Sequence, residues 1–185
     1  MTSIWHKLGD SACDLARRTC LELLRHGEVP RHIAFIMDGN RRYARKCSVT
    51  PGEGHHEGFQ KLEQILEWCL DLGVHTVSVY AFSIENFKRP AEEVNALMAL
   101  ARDKLHMLCE KSQLIREYDV AIRVIGQLDL LPADVREAAD RAMQLTAHHR
   151  RTVLNICCPY TSRDEMTTAV GRTIQGVHGG MLMPW

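Results

Sequence analysis

Asp38 closes an apolar run, and Arg41, Arg42 and Arg45 follow it directly. Within His32–Arg45, HIAFIMDGNRRYAR, the unbroken Ile33, Ala34, Phe35, Ile36 and Met37 read as a strand buried on both faces. Asp38 then stands at the carboxyl end of that strand, where the backbone turns outward. A carboxylate there suits a hard cation such as magnesium, which takes one or two carboxylates and completes its shell with phosphate oxygens and water. Gly39 permits close backbone approach to a ligand, Asn40 suits a helix cap, and the N–H groups of the next turn offer an anion site beside the three arginines. Taken alone, Asp38–Gly39 is also an ordinary turn, and the arginines a solvated helix face. Together they favour a metal ion paired with a diphosphate.

Two further segments carry candidate chemistry. The loop Phe82–Pro90, FSIENFKRP, sets Ser83, Glu85, Asn86, Lys88 and Arg89 beside Phe82 and Phe87, which suits a polar head with an apolar neighbour. It reads equally as a capped loop in which Ser83 and Asn86 satisfy backbone groups. Gly54, His55 and Gly58 precede a helix, so His55 either donates to a phosphate or caps, and His56 beside it is solvated.

The elements that must position these residues alternate along the chain. Asp10–Arg25 reads as an amphipathic helix through Leu15, Cys20, Leu21 and Leu24, lying over a domain edge or against a membrane surface. After the first strand come a helix at His56–Leu72 ended by Gly73, a strand at Thr76–Ala81, and a long helix at Ala91–Tyr118 entered through Pro90. Ala121–Ile125, Pro132–His148, Thr152–Cys158 and Ser162–Val177 continue as strand, helix, strand and helix. This βαβαβαβα order predicts an α/β fold, a mainly parallel sheet with helices on both faces and ligands bound outside the carboxyl ends of the strands. Asp38, Ser83, Glu85, Asn86, Arg89, Tyr160 and Arg163 all fall at those ends. On the long helix, Val94, Leu97, Met98, Ala101, Leu105 and Leu108 repeat at helical spacing, which means packed core or, with the small Ala96, Ala99 and Ala101, the wall of a hydrocarbon tunnel.

Composition narrows the function classes. The 23 basic residues equal the 23 acidic ones, so no global field recruits nucleic acid, and the cations lack the interleaved aromatics a nucleic-acid site uses. Seven scattered cysteines without a CxxC pair read as reduced thiols in a cytosolic compartment. The apolar runs are too short to cross a bilayer, leaving peripheral membrane contact open.

DGNRRYA, the GHxxG of Gly54–Gly58, YAFSIENFKRP with Glu93 after it, and LNIC with the later Tyr160 and Arg163 together resemble the cis-prenyltransferases over about Pro30–Val177. The resemblance implies an enzyme that adds isopentenyl diphosphate to an allylic starter such as farnesyl diphosphate, making a long polyprenyl (dehydrodolichyl) diphosphate for dolichol and protein glycosylation. In that family Asp38 would hold magnesium, while Gly39, Asn40, Arg41, Arg42 and Arg89 would cradle the allylic diphosphate. His55, Ser83 and Asn86 would sit beside the reacting ends, and Phe82, Phe87, Leu97, Met98 and Leu105 would line the tunnel. The resemblance also implies a Nogo-B-receptor-like partner subunit and a place on the cytosolic face of the endoplasmic reticulum, or in the cytoplasm.

The chain departs from the pattern in several places. Pro51 stands where the family has a basic residue, Gln127 where it has an acidic one, Pro159 is unusual, and the Arg-x-Ser-Gly-Glu-x-Arg segment that binds isopentenyl diphosphate is absent. The expected organisation is therefore an N-terminal amphipathic helix at 1–29, a partial catalytic domain at 30–178 and an irregular tail at 179–185. A truncated, non-catalytic chain that binds the starter or a partner without turnover is the alternative.

Overall fold

The computed structural model describes residues 15–110 and 113–181. Four parallel strands run in the order β1-β2-β4-β3, with β1 at His32–Ile36, β2 at Thr76–Tyr80, β3 at Val120–Ile125 and β4 at Thr152–Cys157. Residues 15–25 are helical (α1), and α2 (Asn40–Cys47), α3 (Pro51–Leu72), α4 (Ala91–Glu110), α5 (Gln113–Glu117), α6 (Ala133–Thr146) and α7 (Ser162–His178) follow in order. Single 3-10 turns at Ile84–Lys88 and Leu128–Leu130 complete the connections. The parallel α/β expectation therefore holds. Of the expected N-terminal helix, residues 10–14 lie outside the described residues, as do residues 182–185 of the expected tail.

The core occupies one face of the sheet. Val77 and Val79 of β2, Ile122 and Val124 of β3 and Leu154 of β4 meet Leu62 and Cys69 of α3, Leu105 of α4 and Ala138, Ala139 and Ala142 of α6. The alanines matter because a helix with no bulk on its inner side can lie close to the strands. Thr146 then fastens α6 to β3: its hydroxyl donates to the Ala142 carbonyl at 2.8 Å and accepts the Ile122 N–H at 2.9 Å. Met143 Sδ accepts the Val124 N–H at 3.4 Å, so α6 satisfies donors on the free edge of β3.

Two sequence expectations are corrected. The first strand is not buried on both faces: among the described residues β1 is an edge strand paired only with β2, so Ile33 and Phe35 pack inward while Ala34 is exposed and Ile36 is 76% exposed. The helix expected at His56 begins at Pro51, because Thr50 and Glu53 form a reciprocal capping box and Pro51 suits the first turn. Gly54, His55 and Gly58 thus lie inside α3 rather than before it. The helix expected over Ala91–Tyr118 is described over Ala91–Glu110 and Gln113–Glu117, residues 111–112 lying outside the described residues, and Asp119, with φ 50°, turns the chain into β3.

At the C-terminal end of the sheet, Gly126 passes so close to Pro159 that a Cβ would meet the proline carbonyl, and the Gln127 N–H donates to that carbonyl at 2.8 Å. The Cys158–Pro159 peptide is cis. α1 is tied to α3 by polar contacts, Arg17 to Glu67 at 3.7 Å and Arg25 to the Asp71 carbonyl at 2.9 Å, and leaves Leu15, Leu23 and Leu24 exposed. Ile122 is 2% exposed between β4 and α6. Ile122→Ala should therefore lower stability by about 3 kcal/mol in urea denaturation without changing the far-ultraviolet circular dichroism of the folded state.

Candidate active site

The site begins where β1 ends. Gly39 takes a left-handed backbone, φ 95°, and serves as the N-cap of α2 with no side chain capping it, so Asn40 is the first helical residue and not the cap expected from the sequence. The first N–H groups of α2 are therefore left without a side-chain acceptor, which makes this end of the helix receptive to an anion. Asp38 faces the same place. One of its oxygens accepts the Gly39 N–H at 2.6 Å and the other lies 3.2 Å from Arg42, and 78% of the side chain remains exposed.

α2 is seated on the first turns of α3 by the absence of side chains at Gly54 and Gly58. A Cβ at Gly54 would come within 2.6 Å of the Asn40 carbonyl and 2.9 Å of Ala44 Cβ, and one at Gly58 would strike the Asn40 side-chain amide. That contact aims the Asn40 amide at His55, donating to Nδ1 at 3.3 Å. His55 Nε2 then carries the proton in the neutral ring, lies 3.6 Å from Glu93, and is buried without a hydrogen-bond partner. Glu93 also receives Arg89 at 3.0 Å, four residues before it across the entry to α4.

Two spaces meet at these residues. An open cleft of about 580 Å³ is lined by Asp38, Gly39, Asn40, Arg41, Arg42, Arg45, His55 and Arg89 among others, and so gathers four arginines. An apolar cavity of about 140 Å³ runs inward between α3, α4 and the sheet, lined by Phe59, Leu62, Phe82, Leu97, Met98 and Leu105 among others. The two share Met37, Asn40 and His55. A polar, cation-rich cleft therefore opens directly into an apolar chamber, an arrangement that fits one amphiphile with an anionic head and a hydrocarbon tail.

Most of the expected site residues gather around this junction. Asp38, Gly39, Asn40, Arg41, Arg42, Arg89 and His55 line the cleft, and Phe82, Leu97, Met98 and Leu105 line the cavity. Phe87 lies behind the wall, packed edge-on against Phe82 with centroids 5.0 Å apart. Ser83 and Asn86 line neither space: the Asn86 amide oxygen accepts the Ser83 N–H at 3.0 Å, and Ser83 Oγ accepts the Glu85 N–H at 3.1 Å, the capped-loop arrangement. Of the three alanines offered as tunnel-wall residues, only Ala101 lines the cavity, and Ala96 is exposed. Tyr160 and Arg163 line neither space; the Tyr160 hydroxyl is spent on Glu165 and its carbonyl accepts Tyr80 at 3.0 Å. Glu93, quoted from the sequence only as part of the family motif, was given no site role there, although its place four residues after Arg89 at a helix entry was the available signal.

Among the described residues no group of three or more His, Cys, Asp or Glu side chains converges, so Asp38 stands as a lone carboxylate facing the arginines. Burial pushes the His55 imidazole below its ordinary value of 6.5; Glu93 opposes this, while Arg89 and Arg41 add to it. A histidine with a lowered pKa binds fewer protons folded than unfolded, so stability should rise with pH through the interval that ends near 6.5 and be flat above it. His55→Gln is expected to flatten that rise in urea denaturation series between pH 5 and pH 8, and an unchanged slope would mean that His55 is not the group responsible.

Comparison with known proteins agrees with this geometry. Residues 36–181 match the family model described as "Putative undecaprenyl diphosphate synthase". The chain is 49% identical over 180 residues to the human dehydrodolichyl diphosphate synthase complex subunit DHDDS, covering 97% of this chain and 54% of that protein. It is 42% identical over 184 residues to the tritrans,polycis-undecaprenyl-diphosphate synthase (geranylgeranyl-diphosphate specific) of Thermococcus kodakarensis, covering 100% of this chain and 69% of that one. The crystal structure of lavandulyl diphosphate synthase from Lavandula x intermedia, in complex with dimethylallyl diphosphate, superposes with a TM-score of 0.77 at 29% identity, over 84% of this chain and 65% of that one. The chain thus spans about half the length of the human and mouse relatives it matches. With the family model matched along most of its length, a parallel sheet of the same architecture and a cationic cleft opening on an apolar chamber, the chain belongs to the cis-prenyltransferase family.

Proposed function

We propose that this chain carries the allylic half of a cis-prenyltransferase site, holding farnesyl diphosphate for condensation with isopentenyl diphosphate into a dehydrodolichyl-type polyprenyl diphosphate. The observation that carries the reading is the junction at Met37, Asn40 and His55, where the arginine-lined cleft becomes the apolar cavity. An allylic diphosphate matches both parts, with its head among Arg41, Arg42, Arg45 and Arg89 and its tail beside Phe82, Leu97 and Met98. The lavender relative's bound dimethylallyl diphosphate supports the same substrate class.

The chemistry follows from charge. The bond from the allylic carbon to diphosphate oxygen breaks while a carbon–carbon bond forms to isopentenyl diphosphate, and loss of a proton creates the new cis double bond. Negative charge grows on the departing diphosphate, and guanidinium groups and backbone N–H groups already in place stabilise it without reorganising. Magnesium fits the donor set here: a lone exposed carboxylate cannot enclose an ion, but Asp38 together with diphosphate oxygens and water can. Bound there, the ion would neutralise diphosphate charge and hold the leaving group. Asp38 would orient that assembly, the Asn40 amide would fix the His55 ring, and Glu93 would hold Arg89 facing the cleft. Ser83 and Asn86 belong to the adjoining loop and would reach the reacting ends only by giving up their mutual capping bonds.

The human relative is named as a complex subunit, which supports a partner here, and we assign that partner to a Nogo-B-receptor-like subunit on the cytosolic face of the endoplasmic reticulum. Among the described residues no helix is long and apolar enough to cross a membrane. The exposed Leu15, Leu23 and Leu24, on a helix that also bears Arg17, Arg18 and Arg25, suit peripheral contact with a lipid surface.

Calorimetry with farnesyl diphosphate tests the reading. Magnesium should strengthen binding to the wild-type chain, and Asp38→Ala should remove about a hundredfold of that strengthening while metal-free binding becomes no weaker, because Arg42 is freed for the diphosphate. Incorporation of labelled isopentenyl diphosphate into polyprenols would establish turnover; binding without incorporation would identify a non-catalytic chain, and no binding with or without magnesium would end the proposal.

A further inference from the structure

Three of the four arginines that line the cleft act on a group of the site, and Arg45 does not. Arg42 lies 3.2 Å from Asp38, Arg89 lies 3.0 Å from Glu93, and the charge of Arg41 helps to hold down the His55 pKa. Arg45, in the last turn of α2, is exposed, and among the described residues its guanidinium has no ion pair or hydrogen bond. A cation at that end of a helix suits the carbonyl dipoles, but Lys46 beside it meets that need and does not line the cleft.

The cleft also lacks a charge close to Arg45. Pro51, in the first turn of α3, lines it at the position where the cis-prenyltransferases carry a basic residue. Only Ser48, Val49 and Thr50 join α2 to α3. Ser48 reverses the chain with φ 56°, and the Val49 N–H donates to the Ala44 carbonyl at 3.0 Å, so the connection folds back on the last turn of α2. Val49, Pro51 and Arg45 accordingly line the same cleft. Glu53, two residues beyond Pro51, is spent elsewhere: one of its oxygens accepts the Thr50 N–H and hydroxyl at 2.8 Å each.

The cations thus form two tiers. Arg41 and Arg89 act at His55, where the cleft meets the apolar cavity. Arg45 is four residues after Arg41, on the same side of α2 and about 6 Å further from the helix N-terminus. An amphiphile whose tail enters the cavity leaves the phosphate that bears the tail at the inner tier, and a second phosphate extends away from it.

We propose that Arg45 is the specificity-determining residue for the outer phosphate of a prenyl diphosphate, supplying from the end of α2 the cation that position 51 lacks. This rests on the reading of the cleft and cavity as an allylic diphosphate site. The guanidinium fork takes two oxygens of the terminal phosphate, and a prenyl monophosphate offers it none. Arg45 therefore separates diphosphates from monophosphates, while Arg41 and Arg89 hold the phosphate common to both.

Calorimetry of the whole chain, at fixed ionic strength and fixed magnesium, compares farnesyl diphosphate with farnesyl monophosphate. R45Q should weaken the diphosphate about tenfold and change the monophosphate by less than about twofold, which also certifies that the variant folds. Adding P51R to R45Q should recover most of the lost diphosphate affinity. P51R alone should gain less than it gains in the R45Q background, because the two cations serve one phosphate. A structural or long-range role for Arg45 would weaken both ligands in parallel. That result, an R45Q chain with full diphosphate affinity, no recovery with P51R, or equal gains from P51R in both backgrounds would each overturn the assignment of Arg45 while leaving the cleft standing. A wild-type chain that binds neither ligand would remove the active-site reading itself.

Discussion

The close approach of α2 to the first turns of α3 governs the rest of the site. Backbone meets backbone there because Gly54 and Gly58 offer no side chain: a methyl group at either would collide with Asn40. The contact has two consequences. It points the N-terminus of α2, with its unpaired N–H groups, into the cleft beside Asp38, and it brings the Asn40 amide onto His55. Gly39 is the third requirement, since the turn from β1 into α2 needs a left-handed backbone that an L side chain rarely tolerates. Three glycines thus place one carboxylate, one helix end and one imidazole within a single small region.

The charges around that region are arranged as a partly compensated excess. Arg41, Arg42, Arg45 and Arg89 line the cleft, and among the described residues Arg42 pairs with Asp38 in it and Arg89 with Glu93 beside it. The two pairs differ in kind. The Asp38–Arg42 pair is largely exposed, so water weakens it and an incoming diphosphate can displace the carboxylate at little cost. The Arg89–Glu93 pair is mostly buried, 22% and 14% exposed, and breaking it would leave a carboxylate beside the unpartnered Nε2 of His55. Arg89 is therefore a fixed cation and Arg42 an adjustable one. His55 lines both the cleft and the cavity, its pKa held below the ordinary value mainly by burial, against Glu93 and with Arg89 and Arg41, which suits a residue at the join of a polar and an apolar space.

Much of this was legible in the sequence, and the failures have physical causes. The alternation of strands and helices was clear because apolar periodicity changes from an unbroken run to helical spacing and back. The Asp-Gly-Asn-Arg-Arg segment was legible because few other arrangements put a carboxylate, a flexible turn and several cations at a strand end. Burial of β1 on both faces was misjudged because Ala34 and Ile36 have the same composition signal as core residues, while strand order, which leaves β1 at an edge, is a tertiary property. The start of α3 was missed because glycines at 54 and 58 argue against a helix by propensity, whereas the capping box at Thr50 and Glu53 and the packing demand of Asn40 override it. Glu93 was legible only as part of the family motif, because its nearness to His55 depends on which element faces the entry to α4.

The two faces of the sheet have divided roles. Every described side chain that lines the cleft or the apolar cavity comes from strands, from α2, α3, α4 and α6, or from the loops between them, and the inward face of the strands supplies Val79, Val124, Leu154 and Ile156 to the cavity wall. The opposite face carries a polar row instead, in which His32 and Asn155 both meet Ser78 Oγ, at 2.8 and 2.9 Å. α7 supplies nothing to either space, and its Met166, Val170 and Ile174 are exposed. Binding of an amphiphile in this chain is thus built into the covered face, where helices held by alanines, glycines and one threonine leave a chamber between them. A cavity of that kind costs packing energy in a protein that has no use for it. Its apolar lining and its opening onto a cleft with four arginines are features that a folding requirement alone does not ask for, and their shape suits a hydrocarbon tail below an anionic head.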